Sequence, residues 1–144
     1  MKYHKWIRYF VVFTLLCLLA ALATRVGAEG DQEKRLVASV GEDGIQRVEV
    51  YGGEYYFEPK HIVVQVNKPV ELSVRKGGGF IPHNIIVEAP DAGIDFNVGM
   101  GKEFQPIRFT PTRTGRYTMY CDKRFLWFKT HQAKGMEGII EVVE

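Results

Sequence analysis

Ile62-Val63-Val64-Gln65-Val66-Asn67-Lys68-Pro69-Val70-Glu71-Leu72-Ser73-Val74-Arg75 is the stretch whose reading decides the fold. Its first half is rich in β-branched residues, which suit a pleated, half-buried surface. Asn-Lys-Pro then supplies turn chemistry. Val70 to Arg75 alternates apolar and polar residues with a period of two, so one face of a strand is buried and the other solvated. Gly77-Gly78-Gly79 ends it.

The same grammar extends outward in both directions. Val48-Glu49-Val50-Tyr51 alternates, breaks at Gly52-Gly53 and resumes as Tyr55-Tyr56-Phe57. Asn84 to Glu88 reads as a short strand closed by Ala89-Pro90-Asp91-Ala92-Gly93. Ile107 to Thr110 and Arg116 to Cys121 flank the turn Pro111-Thr112-Arg113-Thr114-Gly115, and Gly138 to Val143 closes the chain. Only 92–103 and 123–135 are long enough to hold a helical turn or an excursion. Seven or eight short strands at this spacing predict an all-β sandwich or barrel and argue against βαβ units. Residues 29–45 are polar and charged and read as a leader or N-terminal edge segment before a domain spanning 46–144.

The N-terminus has a different character. Lys2, Lys5 and Arg8 precede an apolar run from Tyr9 to Ala23, interrupted only by Thr14, and Val26-Gly27-Ala28 offers a small-residue cleavage site. This is the layout of a secretory signal peptide over residues 1–28. The run is shorter than the ~20 residues of a relaxed membrane span; an uncleaved anchor is the alternative, and would be the chain's only membrane contact. Export to the periplasm or beyond is therefore expected.

Removing this segment reverses the sign of the charge. The whole chain is +2, but four basic residues and no acid leave with residues 1–28, so 15 basic residues face 17 acidic ones. No concentrated basic stripe suggests nucleic acid. At 46% hydrophobic and 25% charged residues the chain is also no candidate for disorder. Of two cysteines, Cys17 departs with the leader and Cys121 is left alone. A lone thiol in an oxidising compartment is reactive and requires an explanation.

His83, Cys121, His131 and Met136 supply one. His83 opens a strand, Cys121 ends another, and His131 and Met136 lie in the return loop before the last. Two imidazoles, a thiolate and a thioether form a borderline-to-soft donor set, which selects copper and suits a trigonal His₂Cys site with a weak axial Met. Zinc would accept Cys and His, but a thioether is not among its usual ligands. A cysteine nucleophile with a histidine base is the enzymatic alternative, but no oxyanion element or third orienting group is evident. His61 and Met119 read as structural, and Met100 as a surplus soft sulfur in a Gly-Met-Gly turn.

The residues carry a resemblance. Phe80-Ile81-Pro82-His83-Asn84-Ile85 resembles the first ligand motif of the plastocyanin-like cupredoxins. Thr114 to Cys121 is similar to their penultimate strand, and His131-Gln132-Ala133-Lys134-Gly135-Met136-Glu137-Gly138 to the rest of their ligand loop. The resemblance implies an antiparallel Greek-key β-sandwich and one copper per chain cycling between Cu(I) and Cu(II). It also implies His83, Cys121 and His131 as equatorial ligands, Met136 as the axial one, and Asn84 as a residue that hydrogen-bonds the cysteine loop. The activity implied is one-electron transfer by a carrier, with copper trafficking, delivery or sensing as the alternative. A c-type cytochrome or a membrane oxidase is the partner that analogy suggests.

One departure stands out. Where the family pattern has two residues between Cys and the second His, this chain has nine, Asp122 to Thr130. Lengthening the closure costs only about 1 kcal/mol of loop entropy, so the insertion leaves the ligand set possible and the site geometry open. Its content is Phe125-Leu126-Trp127-Phe128, bracketed by Lys123, Arg124 and Lys129. Two readings follow: a docking patch or lid with a basic fringe, suited to an acidic redox partner, or aromatics that fold back into the core.

Overall fold

The computed structural model describes residues 35–144, so the leader assigned to 1–28 lies outside the described residues. Two sheets pack face to face. One has six strands, β1 (Arg35–Val37), β5 (His61–Gln65), β11 (Glu137–Val143), β10 (Gly115–Tyr120), β7 (His83–Ala89) and β8 (Ile94–Met100), in that spatial order. The other runs β2 (Ser39–Val40), β3 (Gln46–Gly53), β6 (Val70–Lys76), β9 (Gln105–Phe109), with β4 (Tyr56–Glu58) pairing on β3. Apart from these strands the described residues hold two single-turn 3₁₀ segments, Pro90–Ala92 and Gln132–Lys134.

Period-two alternation builds the core. In β3 and β6 every second residue is buried, placing Val48, Val50, Leu72 and Val74 inward. Ile62, Val64, Ile85, Val87, Ile140 and Val142 face them from the other sheet. Gln46, 1% exposed, is the polar exception among the buried residues of β3 and β6, and its amide is satisfied: Nε2 donates to the Gln65 and Lys68 carbonyls at 3.0 and 3.3 Å. Oε1 accepts from the Gln65 N–H at 2.6 Å. One buried side chain thus ties the start of β3 to the β5–β6 turn. In that turn Asn67 has φ 59°, a left-handed conformation that Asn tolerates better than most residues.

The sandwich is as expected, with two refinements. Both sheets are mixed, because β1·β5, β5·β11 and β3·β6 pair in parallel. Between β3 and β6 the chain leaves for the other sheet as β5 and returns, and a strand that re-enters after such a crossover lies parallel to its predecessor. There are also eleven strands rather than seven or eight. The extra ones include β1 and β2, of three residues or fewer, too short to display a period. Another is β8, in the stretch read as an excursion. It pairs with β7 along its whole length, from His83 opposite Met100 to Ala89 opposite Ile94.

Candidate metal centre

One end of the sandwich gathers the chemically active side chains. β7 begins there with His83, β10 ends there and hands on to Cys121, and the β10–β11 connection returns there through His131 and Met136. All four are buried: His83 is 7% exposed and the other three 0%. His131 Nδ1 stands 3.1 Å from His83 Nδ1 and 3.5 Å from Cys121 Sγ. The donor atoms of these three residues lie within 4.8 Å of one another.

The insertion does not loosen this arrangement, because hydrogen bonds close its neck. The His131 N–H donates to the Lys123 carbonyl at 2.8 Å and the Gln132 N–H to the Cys121 carbonyl at 2.9 Å. The Met136 N–H donates to the His131 carbonyl at 2.9 Å, while the Met136 carbonyl accepts from the Cys121 N–H at 3.2 Å. Gly135, with φ 96°, makes the left-handed turn that ends the 3₁₀ segment and aims Met136 back into the domain. Cys121, His131 and Met136 are thereby held by one another's backbone.

Asn84 fastens the cysteine from the other side. Its backbone N–H points at Cys121 Sγ at 3.5 Å. Its side chain donates to Asp122 Oδ1 and Asn97 Oδ1, both at 2.9 Å, and accepts from the Asp122 N–H at 3.2 Å. A hydrogen-bonding role for Asn84 was expected; Asp122 and Asn97 as its partners were not, since an exposed polar pair carries no signal in a single sequence. Tyr55 was also missed. Its ring meets His131 edge-on at 5.2 Å, and Lys134 Nζ donates to its hydroxyl at 2.9 Å, so the pair roofs the imidazole.

Burial sets the protonation states. It pushes the His83 pKa down to about 4, assisted by His131 and Lys76. His131 is lowered too, by burial and then by Lys134. Burial raises the Cys121 thiol, against the pull of backbone donors from Asn84 and Lys123. At neutral pH the imidazoles are therefore neutral, with lone pairs available, and a thiolate requires a cation beside it.

These residues fit one metal ion. Two imidazole nitrogens about 2.0 Å and a thiolate about 2.3 Å from a tetrahedral ion such as zinc would stand roughly 3.3 and 3.5 Å apart. From His131 Nδ1 the observed separations are 3.1 Å to His83 and 3.5 Å to Cys121, and all three donor atoms lie within 4.8 Å of one another. Among the described residues His131 Nε2 is buried without a partner, so the ring's polar contacts are all inside the cluster.

Around the centre, the insertion's apolar residues face outward. Phe125, Leu126, Trp127 and Phe128 are 51, 59, 82 and 50% exposed. They are organised among themselves, with Phe128 lying near Phe125 and Trp127 at 6.4 and 5.9 Å between ring centres. Phe80, three residues before His83, is also fully exposed.

The chain matches no family profile and no curated protein. It is similar to several solved structures. The metal-binding domain of the Cu(I)-exporting P-type ATPase CopA of Streptococcus pneumoniae D39, solved with Cu(I), superposes with a TM-score of 0.60 at 25% identity. That match covers 78% of this chain and 98% of the other. Reduced auracyanin of Roseiflexus castenholzii gives 0.56 at 21% identity over 74% and 99%. The periplasmic domain of cytochrome oxidase subunit II of Bradyrhizobium japonicum gives 0.50 at 19% over 68% and 83%.

Proposed function

This chain has the cupredoxin fold, and on that premise we propose that it is an exported copper protein that carries one electron at a time, not an enzyme in its own right. Residues 1–28 would be its secretory leader and 46–144 its copper-binding domain. The observation that carries the reading is the buried His83–Cys121–His131 cluster with donor separations of 3.1 and 3.5 Å. Met136 would add a thioether donor, its backbone bonded to both His131 and Cys121.

Copper bound there supplies a centre that alternates between Cu(I) and Cu(II). This donor set is acceptable to both states: thiolate and imidazole suit Cu(II), and the thioether suits Cu(I). The chain's contribution is rigidity. The Asn84 bonds and the closed neck hold the ligands in place, so little has to move when the charge on the centre changes. Tyr55 and the buried strand ends keep water away. The exposed run Phe125 to Phe128, with Lys123, Arg124 and Lys129 beside it, is the docking surface this reading assigns to an acidic redox partner, such as a c-type cytochrome or a membrane oxidase.

Copper delivery is the second reading. It is favoured by the likeness to a domain of a Cu(I) exporter. One titration of the purified protein with Cu(II) tests the first reading, followed by visible absorption and EPR with Cys121→Ser alongside. An intense thiolate-to-copper band, absent from the variant, is expected. A weak tetragonal signal would move the assignment to delivery, and absence of binding would overturn both. Reversible cycling between two oxidation states without copper loss separates a carrier from a delivery protein.

A further inference from the structure

A second thioether sits at this site. Met100, the last residue of β8, is 5% exposed and lies directly opposite His83 in the antiparallel β7·β8 pair. Directly opposed residues of such a pair project from the same face of the sheet with their Cβ atoms about 5 Å apart. Met100 therefore enters the sandwich beside the imidazole at the end where the cluster lies.

The facing sheet shows how close the two methionines come. A Cβ placed on Gly52, near the end of β3, would stand 2.9 Å from Met100 Sδ and 3.3 Å from the Met136 methyl. Both thioether ends converge on the one spot that a side chain at position 52 would fill. A glycine in a strand interior is unfavourable without a reason, and close approach of another group is a common one. Here the groups that approach are two soft sulfur side chains at a cluster that already holds a cysteine sulfur and two imidazoles.

We propose that Met100 is a second thioether donor to the metal held by this cluster, and that Gly52 leaves the room in which Met100 and Met136 share the soft-metal side of the site. The inference rests on the copper reading above and adds to it. With three sulfur donors the site favours Cu(I) over Cu(II), because thioethers stabilise the soft monovalent ion. Thioether side chains are unbranched and adaptable, so either sulfur can approach as the other withdraws.

The bland alternative is that Met100 only fills the core. Met100→Leu is suited to separating the two, because a volume-conserving apolar exchange usually costs under about 1.5 kcal/mol of stability and keeps the fold. The purified protein, Met100→Leu, Met136→Leu and the double variant would each compete for Cu(I) against a chromogenic chelator. Met100→Leu is expected to weaken Cu(I) binding on the order of tenfold, a scale known for groups that support a metal site. The double variant should be weaker than either single one, with Cu(II) binding much less affected by Met100→Leu.

Protein carrying ¹³C at its methionine methyls, titrated with redox-inert Ag(I), gives a readout independent of the chelator. The Met100 and Met136 signals should both shift strongly. A double variant that binds Cu(I) as Met136→Leu does, or a Met100 methyl that stays in place while that of Met136 moves, would overturn the proposal and leave the copper reading intact. A protein that binds neither Cu(I) nor Ag(I) would overturn both.

Discussion

Replacing Asn84 with alanine should cost the metal-free protein about 3 kcal/mol of folding stability. The residue is 1% exposed, and its side chain makes three hydrogen bonds, to Asn97 Oδ1, to Asp122 Oδ1 and from the Asp122 N–H. At roughly 1 kcal/mol net for each bond, the loss is about 3 kcal/mol. Asn97 and Asp122 are exposed, so their abandoned groups can turn to water and add little. Urea denaturation of the metal-free protein measures the loss as a lower midpoint at unchanged slope. Asn84→Asp sharpens the test. Asn97 can turn its amide nitrogen inward to meet a new carboxylate, but the Asp122 side chain offers only oxygen. The new carboxyl should therefore have a raised pKa in the folded state and cost more than alanine at pH 7. That deficit should narrow as the pH falls through the raised value. A loss under about 1 kcal/mol for Asn84→Ala, or an Asn84→Asp variant no worse than alanine at pH 7, would refute the pinning role.

Three further outcomes are expected. The metal-free protein should lose stability as the pH falls from 6.5 towards 4: His83 is depressed from 6.5 to about 4, so the unfolded state takes up the proton first. Its share is about 3 kcal/mol, fully present above 6.5, with His131 acting in the same direction; urea midpoints that are flat over this range, or unchanged in slope by His83→Gln, would sink the assignment. Gly138→Ala should destabilise by about 2–3 kcal/mol, the usual scale of overpacking. A Cβ there would meet the Lys60 carbonyl oxygen and the Met119 methyl at 2.4 and 2.5 Å, and an unshifted thermal midpoint would contradict this. Trp127→Ser should change stability by no more than about 0.5 kcal/mol, because the ring is 82% exposed, yet slow electron exchange with an acidic partner; a large fall in the urea midpoint would mean instead that the ring holds the domain together.

How much of this was legible before folding depends on the length of each signal. Strands β3, β5, β6, β7, β10 and β11 announce themselves through alternation or β-branched runs that match their buried positions. β8 was open to the same reading, since Ile94, Phe96, Val98 and Met100 alternate with polar or small residues. Gly99 and Gly101 around Met100 masked it by suggesting a turn. The donor residues were legible as types in order along the chain, and the structure brings His83, Cys121 and His131 into one cluster. Asp122, Asn97, Tyr55 and Gly52 reach the site through pairings across strands or between sheets. Such neighbours leave no period and no motif in one sequence.

The closed neck between Lys123 and His131 separates two jobs that a short ligand loop would have to combine. Residues 124–129 lie beyond the last hydrogen bonds of the neck, which include the one from the Ala133 N–H to Thr130 Oγ1 at 3.2 Å, so among the described residues no hydrogen bond ties their backbone to the ligand residues behind it. The segment behaves as a cassette. On the reading proposed above it should accept shortening, a change of charge or another recognition sequence while the ligand residues stay in place. A lineage of such proteins could change its choice of partner in this segment by small steps, each leaving the inner residues untouched. An engineer could graft a new address there for the same reason.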